Sequence, residues 1–340
     1  MKEKLRKSRN ISKKTGISGI IICLVALVVL AIKFINPDLY NEVSKTLFGN
    51  ENNSLNASAS NTSIVNDNDT DVDVKVNITN PESLKDVTIK TSKKITSEFV
   101  SNDQTSLKVY FFDVGQADSM LIQNNGENML IDAGNNEDGE TLVNNLKTLG
   151  VEKIDYLVGT HPHEDHIGGM DDIINSFEIG KIYMPNVSTN TKTFEDVIDA
   201  AKNKNLQIET PKAGDKFTIG KSSCEVAYVG SDKENLNLSS IIIKMKYNNL
   251  SYLFTGDTEA DVENKIDFGK INILKVAHHG SDTSSSEKFV NETAPEVAII
   301  SVGKDNSYGH PSNEIIKRYE KVGSKIYRTD EVGNIFIEQK

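Results

Sequence analysis

The chain has 340 residues, enough for one large domain or two small ones. It has only two cysteines, Cys23 within an apolar run and Cys224 far away, so no disulfide framework is available. The net charge of −11 is unevenly spread, because residues 1–33 carry eight Lys or Arg against Glu3 alone. Residues 1–33 thus have a net charge of +7, which leaves a net charge of −18 for residues 34–340. A body this acidic repels phosphate backbones at long range, so any nucleic-acid partner must be held by local contacts.

The amino-terminal end predicts a membrane anchor. A basic segment, residues 1–16, precedes an apolar run, residues 17–35, which is close to the minimum length of a membrane-spanning helix. The basic segment is expected to stay cytoplasmic, which places the rest of the chain outside the cell membrane. Ala31-Ile32-Lys33 is a poor cleavage site, which favours a retained single-pass anchor, although cleavage would release a secreted form. The alternative is a buried helix of a soluble domain.

Residues 36–104 are predicted to form an extracytoplasmic linker rich in Asn, Ser, Thr and Asp. Residues 49–80 have almost no aromatic or large aliphatic side chains, so burial cannot offset the entropy of ordering them, and they are expected to be a disordered, flexible spacer. Residues 81–103 are ambiguous. Val87-Thr88-Ile89 alternates like a strand, whereas Lys93-Lys94 is equally typical of a linker.

One domain is predicted over residues 105–340, built from short strands interleaved with helices. The predicted strands lie at 107–112, 120–122, 129–131, 156–158, 182–184, 225–229, 239–245, 250–254, 271–276, 297–301, 325–327 and 335–337. The predicted helices lie at 140–149, 193–204, 259–266, 287–290 and 315–319. Mostly antiparallel strands with interleaved helices indicate two sheets packed face to face, with the helices outside.

The stretch Thr160–Gly169 holds three of the six histidines and predicts a metal site. Imidazole and carboxylate groups crowded this closely repel one another once charged, and a divalent cation resolves the conflict because both are good ligands. His161 and His163, two apart in an extended segment, point to the same side and can bind one ion. Asp165 and His166 come from the next turn and can reach a second ion. The alternative is a polar loop with solvated histidines.

The other notable polar residues also follow predicted strands directly or after a short loop. They are Asp132, Asp257, the pair His278 and His279, and His310. Loops at strand ends can converge on one face of a domain. Each residue taken alone could be an ordinary turn aspartate or structural histidine, but their joint placement favours a single site.

This ordered set of residues resembles the metallo-β-lactamase superfamily of metal-dependent hydrolases. The motifs are most similar to the extracellular hydrolase domain of the ComEC competence-protein family, and the matching stretches are Phe112–Ser119, Leu130–Gly134, Phe254–Asp257, His278–Ser281 and Tyr308–Pro311. The resemblance runs from about Leu107 to the carboxyl terminus. It implies an α/β (α+β) fold, a four-layered αββα sandwich with the metals at one edge of the two sheets.

The chain departs from the family pattern in two ways. The superfamily usually has an isolated histidine between the histidine motif and the bridging aspartate, but no histidine occurs between His166 and Asp257. The first ion is therefore expected to be the more open one. ComEC-type proteins also carry a multi-helix channel, whereas no second apolar run of membrane length follows residue 35, so this chain is not expected to form a DNA channel.

The resemblance implies two divalent ions, zinc or alternatively manganese. The first ion would take His161, His163 and Asp257, and the second would take Asp165, His166, Asp257 and one of His278 and His279. Asp257 would bridge ions roughly 3.5–4 Å apart, and a metal-bound hydroxide would be the nucleophile.

Further roles follow by analogy with family members. His279 is the preferred ligand, with His278 as acid or oxyanion partner, and Asp165 is counted among the catalytic groups as well as the ligands. Asp132 would orient a ligand histidine through its other ring nitrogen. Ser281 and His310 are candidates for gripping the substrate, and His310 also for protonating the leaving group.

The leading functional hypothesis is a membrane-anchored extracytoplasmic hydrolase of phosphodiesters, of a small molecule or of nucleic acid such as DNA. Two alternatives remain open at this point. One is hydrolysis of a lactam, a lactone or an envelope phosphoester, and the other is a non-catalytic metal-binding docking module. No protein partner is indicated by the sequence.

Overall fold

The computed structural model describes residues 74–75, 82–101, 103 and 105–340. The predicted basic segment, the predicted membrane anchor and most of the predicted linker lie outside these described residues. Within the described part of the chain, no helix has both the length and the apolar character that a membrane span requires.

The described residues form sixteen strands in two sheets. In chain order the strands are β1 (Val74–Lys75), β2 (Val87–Ser92), β3 (Leu107–Phe111), β4 (Met120–Asn124), β5 (Glu127–Ile131), β6 (Lys153–Val158), β7 (Glu178–Tyr183), β8 (Ile208–Glu209), β9 (Lys216–Ile219), β10 (Ser222–Val229), β11 (Ile241–Tyr247), β12 (Leu250–Phe254), β13 (Ile273–Lys275), β14 (Val297–Ile300), β15 (Lys325–Arg328) and β16 (Asn334–Gln339). The first sheet has the order β1-β2-β16-β3-β4-β5-β6-β7-β8, and the second has the order β15-β14-β13-β12-β11-β10-β9.

Each sheet changes its pairing part of the way across. In the first sheet, neighbours are antiparallel from β1 to β5 and parallel from β5 to β8. In the second sheet, neighbours are antiparallel from β9 to β12 and parallel from β12 to β15. The predicted antiparallel pairing thus holds for only part of each sheet, because helices carry the chain back between the later strands. The carboxyl ends of parallel neighbours lie at one edge of a sheet, which is where loops gather.

Eight α-helices accompany the strands in the described residues. They are α1 (Gly139–Thr148), α2 (Glu164–Ile167), α3 (Met170–Ser176), α4 (Lys192–Asn203), α5 (Ala260–Glu263), α6 (Glu287–Thr293), α7 (Asn313–Lys321) and α8 (Thr329–Val332). The elements predicted between residues 107 and 337 are present with ends shifted by a few residues, whereas α2, α3, α8, β8 and β9 were not predicted.

Alternating side chains of β3 show where the core lies. Val109 and Phe111 join a buried cluster with residues of the second sheet such as Ile243. Tyr110, between them, joins a different cluster with Leu142 of α1 on the outer face of the first sheet. This period of two means that one face of the sheet meets the other sheet and the opposite face meets helices. A third cluster packs α6 and α7 on the second sheet, so the layer order is helices, sheet, sheet, helices.

Strand β2 lies within the segment predicted to be a linker. It pairs with β16 from Ser92 opposite Asn334 to Val87 opposite Gln339. Val87 and Ile89 are buried in the core between the two sheets. The sheet therefore begins before residue 105, the predicted start of the domain. The alternation at these residues was ambiguous because the partner strand comes from the opposite end of the chain.

Candidate metal centre

The predicted site residues follow strands that end at one edge of the two sheets. Asp132 follows β5, His161 follows β6, Asp257 follows β12 and His279 follows β13. Within each sheet the two strands concerned are parallel neighbours, so their carboxyl ends lie side by side. The parallel part of each sheet is therefore what brings these loops together.

The histidine motif turns sharply from strand into helix. His163 has extended backbone and caps the short helix α2, so His161 and His163 precede the helix while Asp165 and His166 belong to it. Gly168 follows the helix, and a Cβ atom there would lie 2.2 Å from the backbone of Asn135. Glycine is required for that approach, and the Gly168 amide donates a hydrogen bond of 2.9 Å to the Gly134 carbonyl. The motif is thus held against the loop that carries Asp132.

The motif presents two imidazoles to one side, as its spacing predicts. His161 Nε2 lies 2.9 Å from His163 Nδ1. The His161 side chain is fully buried, and His163 is partly exposed at the cavity described below. Two ring nitrogens converging from adjacent side chains are a suitable pair of ligands for one divalent ion.

A second group of ligand atoms converges beside this pair. One ligand atom from each of Asp165, His166, Asp257 and His279 lies within 4.8 Å of the others. Asp257 Oδ2 is 3.2 Å from His166 Nε2 and 3.5 Å from His279 Nε2. Asp165 Oδ2 is 3.3 Å from His279 Nε2 and 3.6 Å from His166 Nε2. The geometry therefore offers two carboxylate and two imidazole groups to a cation.

Two atoms of this group make no hydrogen bond among the described residues. They are His166 Nε2 and Asp257 Oδ1, and both are buried. A buried polar atom without a partner is costly and rare in folded proteins. A divalent ion would satisfy such atoms, so the residues present fit a metal site.

The other ring nitrogen of His166 is held by Asp132. His166 Nδ1 lies 2.9 Å from Asp132 Oδ2. Asp132 also accepts hydrogen bonds from the Thr160 backbone amide at 2.7 Å and from the Thr160 hydroxyl at 2.8 Å. Because Nδ1–H donates to this carboxylate, Nε2 is the ring nitrogen that faces the ligand group. This is the contact expected for Asp132.

The two adjacent histidines differ in their surroundings. His279 is buried and its Nδ1–H donates to the Ser301 carbonyl at 2.8 Å, which directs Nε2 toward Asp165. The His278 side chain is 21% exposed, and its Nε2 lies 4.0 Å from Asp257 Oδ2. His278 Nε2 instead lies 3.3 Å from the amide nitrogen of Asn237. The geometry thus supports His279 rather than His278 as a ligand.

The charges of the two histidine sets differ in the protein without ions. Burial, assisted by the neighbouring His166, holds the pKa of His161 well below its usual range, and burial also lowers the pKa of His163. Both are therefore neutral near pH 7 and ready to bind a cation. Burial also disfavours charge on His166 and His279, but nearby carboxylates, Asp257 foremost, outweigh it and raise the pKa of both. A divalent ion held by this group would replace those protons, which would couple its binding to proton release.

A buried ion pair behind the ligands was not predicted. Lys275 and Asp118 are both 0% exposed and form an ion pair. Lys275 Nζ is also 3.9 Å from Asp257 Oδ1, and Asp118 Oδ1 is 3.6 Å from His279 Nδ1. The pair therefore supports two ligand residues at once. The sequence feature that could have indicated this pair is a lysine at the end of a short, otherwise apolar strand, because a buried charge needs a partner.

A cavity of about 330 Å³ opens at the ligand group. Six residues that the sequence indicated line it: His163, Asp165, Asp257, His278, His279 and His310. Four others line it without having been predicted as site residues: Gln116, Glu164, Asn237 and Tyr308. A substrate entering this cavity would reach both ligand groups.

Ser281 does not line this cavity. It is 3% exposed, and its hydroxyl lies 3.1 Å from the Thr283 hydroxyl. The Thr283 hydroxyl lies 3.0 Å from His278 Nδ1. The predicted contact of Ser281 with substrate is therefore not supported by the geometry, and Ser281 instead supports His278 through Thr283.

Asn237 lies between the motif and Asp257 in sequence, in the interval that lacks a histidine. Its amide nitrogen contacts Glu259 Oε1 at 3.2 Å as well as His278, so the orientation of the amide is fixed. The amide oxygen is buried without a hydrogen-bond partner among the described residues. An asparagine among other polar residues does not indicate a functional site in the sequence, so Asn237 was not predicted.

Comparisons with known proteins agree with the predicted resemblance. Residues 112–304 match the metallo-beta-lactamase superfamily. ComE operon protein 3 of Bacillus subtilis (strain 168) is 30% identical over 256 residues, which cover 68% of this chain and 33% of that protein. Competence protein ComA of Neisseria gonorrhoeae is 28% identical over 242 residues, which cover 68% of this chain and 32% of that protein. The similarity to the ComEC competence-protein family is confirmed.

The chain spans about a third of the length of these curated relatives. Among solved structures, the metallo-beta-lactamase fold protein YhfI from Bacillus subtilis is similar with a TM-score of 0.47 and 11% identity, over 67% of this chain and 98% of that chain.

Proposed function

The chain belongs to the metallo-beta-lactamase superfamily, whose members are generally metal-dependent hydrolases. We propose that it hydrolyses phosphodiester bonds, of a small molecule or of nucleic acid such as DNA. The observation that carries this proposal is the convergence of Asp165, His166, Asp257 and His279 at an open cavity. A phosphodiester suits such a site because its oxygens bind hard and borderline cations.

The proposal assigns two divalent ions, zinc or alternatively manganese. His161, His163 and Asp257 would hold the first ion, and Asp165, His166, Asp257 and His279 would hold the second. When bound, such ions supply an activated water and a Lewis acid that stabilises negative charge on the substrate. His166 Nε2 and Asp257 Oδ1, which are buried and make no hydrogen bond among the described residues, support this assignment.

The residues of the chain then orient ligands and supply protons. Asp132 keeps the Nε2 lone pair of His166 directed at the site, and the Ser301 carbonyl does the same for His279. His278 and His310 both line the cavity, with ring centroids 5.6 Å apart. Burial, followed by the neighbouring His278, lowers the pKa of His310. We assign to these two histidines the contact with the leaving group of the substrate and its protonation.

The proposal places the hydrolase domain outside the cell. It rests on the basic residues 1–16 and the apolar residues 17–35, which would form a single-pass anchor with its basic end in the cytoplasm. The substrate would then be met on the outer side of the membrane.

We expect the purified full-length protein, loaded with zinc or manganese, to cleave bis-p-nitrophenyl phosphate and single-stranded DNA. Chelation should abolish both activities because the site depends on the ions, and a chromogenic cephalosporin should not be cleaved. Steady-state rates beside a metal analysis would measure this. Cleavage of the cephalosporin alone would favour a lactamase, and bound metal without hydrolysis of any of the three would favour a docking module.

We expect the two adjacent histidines to respond differently to alanine substitution. His279→Ala should lose bound metal, because Nε2 of His279 belongs to the second ligand group. His278→Ala should keep its metal and lose about 10²- to 10⁴-fold in kcat, the usual contribution of a positioned acid or base. Elemental analysis and kinetics on the two variants measure this. Metal loss in His278→Ala with retention in His279→Ala would reverse the assignment.

A further inference from the structure

Tyr308 stands out at the mouth of the cavity. Among the described residues, only Val100 and Tyr308 are large apolar or aromatic side chains counted as exposed, and Tyr308 is 71% exposed. Single exposed side chains of this kind are common and need no explanation by themselves. Tyr308 differs because it also lines the cavity that contains Asp165, Asp257 and His279.

The side chain of Asn306 makes four hydrogen bonds within the loop that carries Tyr308. The Asn306 amide nitrogen donates to the Gly303 carbonyl at 2.9 Å and to the His310 carbonyl at 2.6 Å. The Asn306 amide oxygen accepts from the backbone amides of Tyr308 at 3.2 Å and of His310 at 3.1 Å. The exposed ring therefore belongs to an ordered loop. Binding of a ligand to this ring would cost the loop little further conformational entropy.

The ring of Tyr308 lies nearly parallel to a ring that faces the ligand group. Its centroid is 5.7 Å from that of His310, with an interplanar angle of 24°. His310 is in turn 5.6 Å from His278, which lies beside His279. The row of rings leads from solvent to the second ligand group, and most of the Tyr308 ring remains open to an incoming planar group.

We propose that Tyr308 is a stacking platform for the base of an unpaired nucleotide whose phosphodiester occupies the cavity. This inference rests on the proposed phosphodiesterase function and deepens it, because it assigns a subsite for the nucleobase. Every base has a π-face, so stacking on an aromatic ring tolerates any sequence. Stacking also suits this chain. The formal net charge of −18 over residues 34–340 does not favour a long basic groove that follows a phosphate backbone.

The test compares an oligothymidylate with an oligonucleotide of the same length made of abasic linkages, on metal-loaded full-length protein. Tyr308→Ala should lower kcat/KM on the oligothymidylate by about 5- to 150-fold, which corresponds to ~1–3 kcal/mol of base stacking. The same variant should stay within about twofold of the unmodified protein on the abasic strand. Tyr308→Phe is the matched control and should behave like the unmodified protein on both, because it keeps the ring.

Equal losses of Tyr308→Ala on both strands, or no loss on either, would overturn the stacking role. Equilibrium binding of the two fluorescent strands separates this inference from the proposed function. A base-dependent affinity that disappears in Tyr308→Ala, without hydrolysis of either strand, would retain the stacking site and reject the phosphodiesterase. Absence of both hydrolysis and base-dependent binding would reject the two together.

Discussion

Replacing Asp257 with alanine is expected to abolish hydrolysis and to remove bound metal. Asp257 Oδ2 lies 3.2 Å from His166 Nε2, Asp257 lines the cavity, and the proposal shares this carboxylate between both ions. A metal acting as a Lewis acid contributes several kcal/mol to the transition state, so losing it should lower kcat/KM by about a thousandfold or more. Kinetics and elemental analysis on the same preparation would measure both effects.

Two further variants make the Asp257 result interpretable. Asp257→Asn keeps the shape of the side chain and should also lose metal, because the amide lacks the negative charge. Asp261→Ala removes an exposed aspartate four residues away and should leave metal content and activity unchanged. An active Asp257→Ala protein with its full metal content would reject the shared role of this carboxylate.

Replacing Lys275 with methionine is expected to destabilise the domain strongly. Asp118 would remain as a buried carboxylate without its cation, since both side chains are 0% exposed. Breaking a buried ion pair by removing one partner typically costs about 3–5 kcal/mol. Burial disfavours the charged form of Lys275, yet Asp118 and Asp257 outweigh it and raise the pKa, so the charge is present in the folded protein. Denaturant unfolding of the metal-free protein would measure the free energy of unfolding.

The double variant Lys275→Met with Asp118→Leu separates the pair from the packing around it. Replacing both partners by apolar groups is often nearly neutral, so most of the lost stability should return. Lys192→Met is the matched surface control, because it removes an exposed lysine paired with Asp196 and should leave stability nearly unchanged. A Lys275→Met protein as stable as the unmodified one would show that the buried pair contributes nothing.

The strand pattern of the domain could be predicted because it depends on local alternation. Val109 and Phe111 point to one face of β3 and Tyr110 to the other, and the structure buries them in different clusters. Strand β2 shows the limit of that reasoning. Its alternation is short, and only pairing with β16 distinguishes it from a linker. The helices α2 and α3 were missed because their turns are short and follow a motif dominated by polar residues.

The candidate site, like the strands, could be predicted from the sequence only in part. His161, His163, Asp165 and His166 are neighbours in the chain, so their spacing alone predicts a crowded cluster that needs a cation. Asp257 and His279 could be singled out because strand ends are recognisable in the sequence, and their expected roles as ligands came from the resemblance to the metallo-β-lactamase superfamily. Their ligand atoms are brought within 4.8 Å of Asp165 and His166 by the structure.

The sequence by itself therefore determined which histidines and aspartates are crowded together or follow strand ends, because both follow from local spacing and periodicity. The resemblance already favoured His279 over His278 as a ligand. Only the tertiary structure decided that Lys275 pairs with Asp118 and that Tyr308 stands at the cavity mouth. Those contacts join elements of two different sheets, or a loop to a distant strand end. They depend on how the two sheets pack face to face, and no local pattern in the chain encodes that packing.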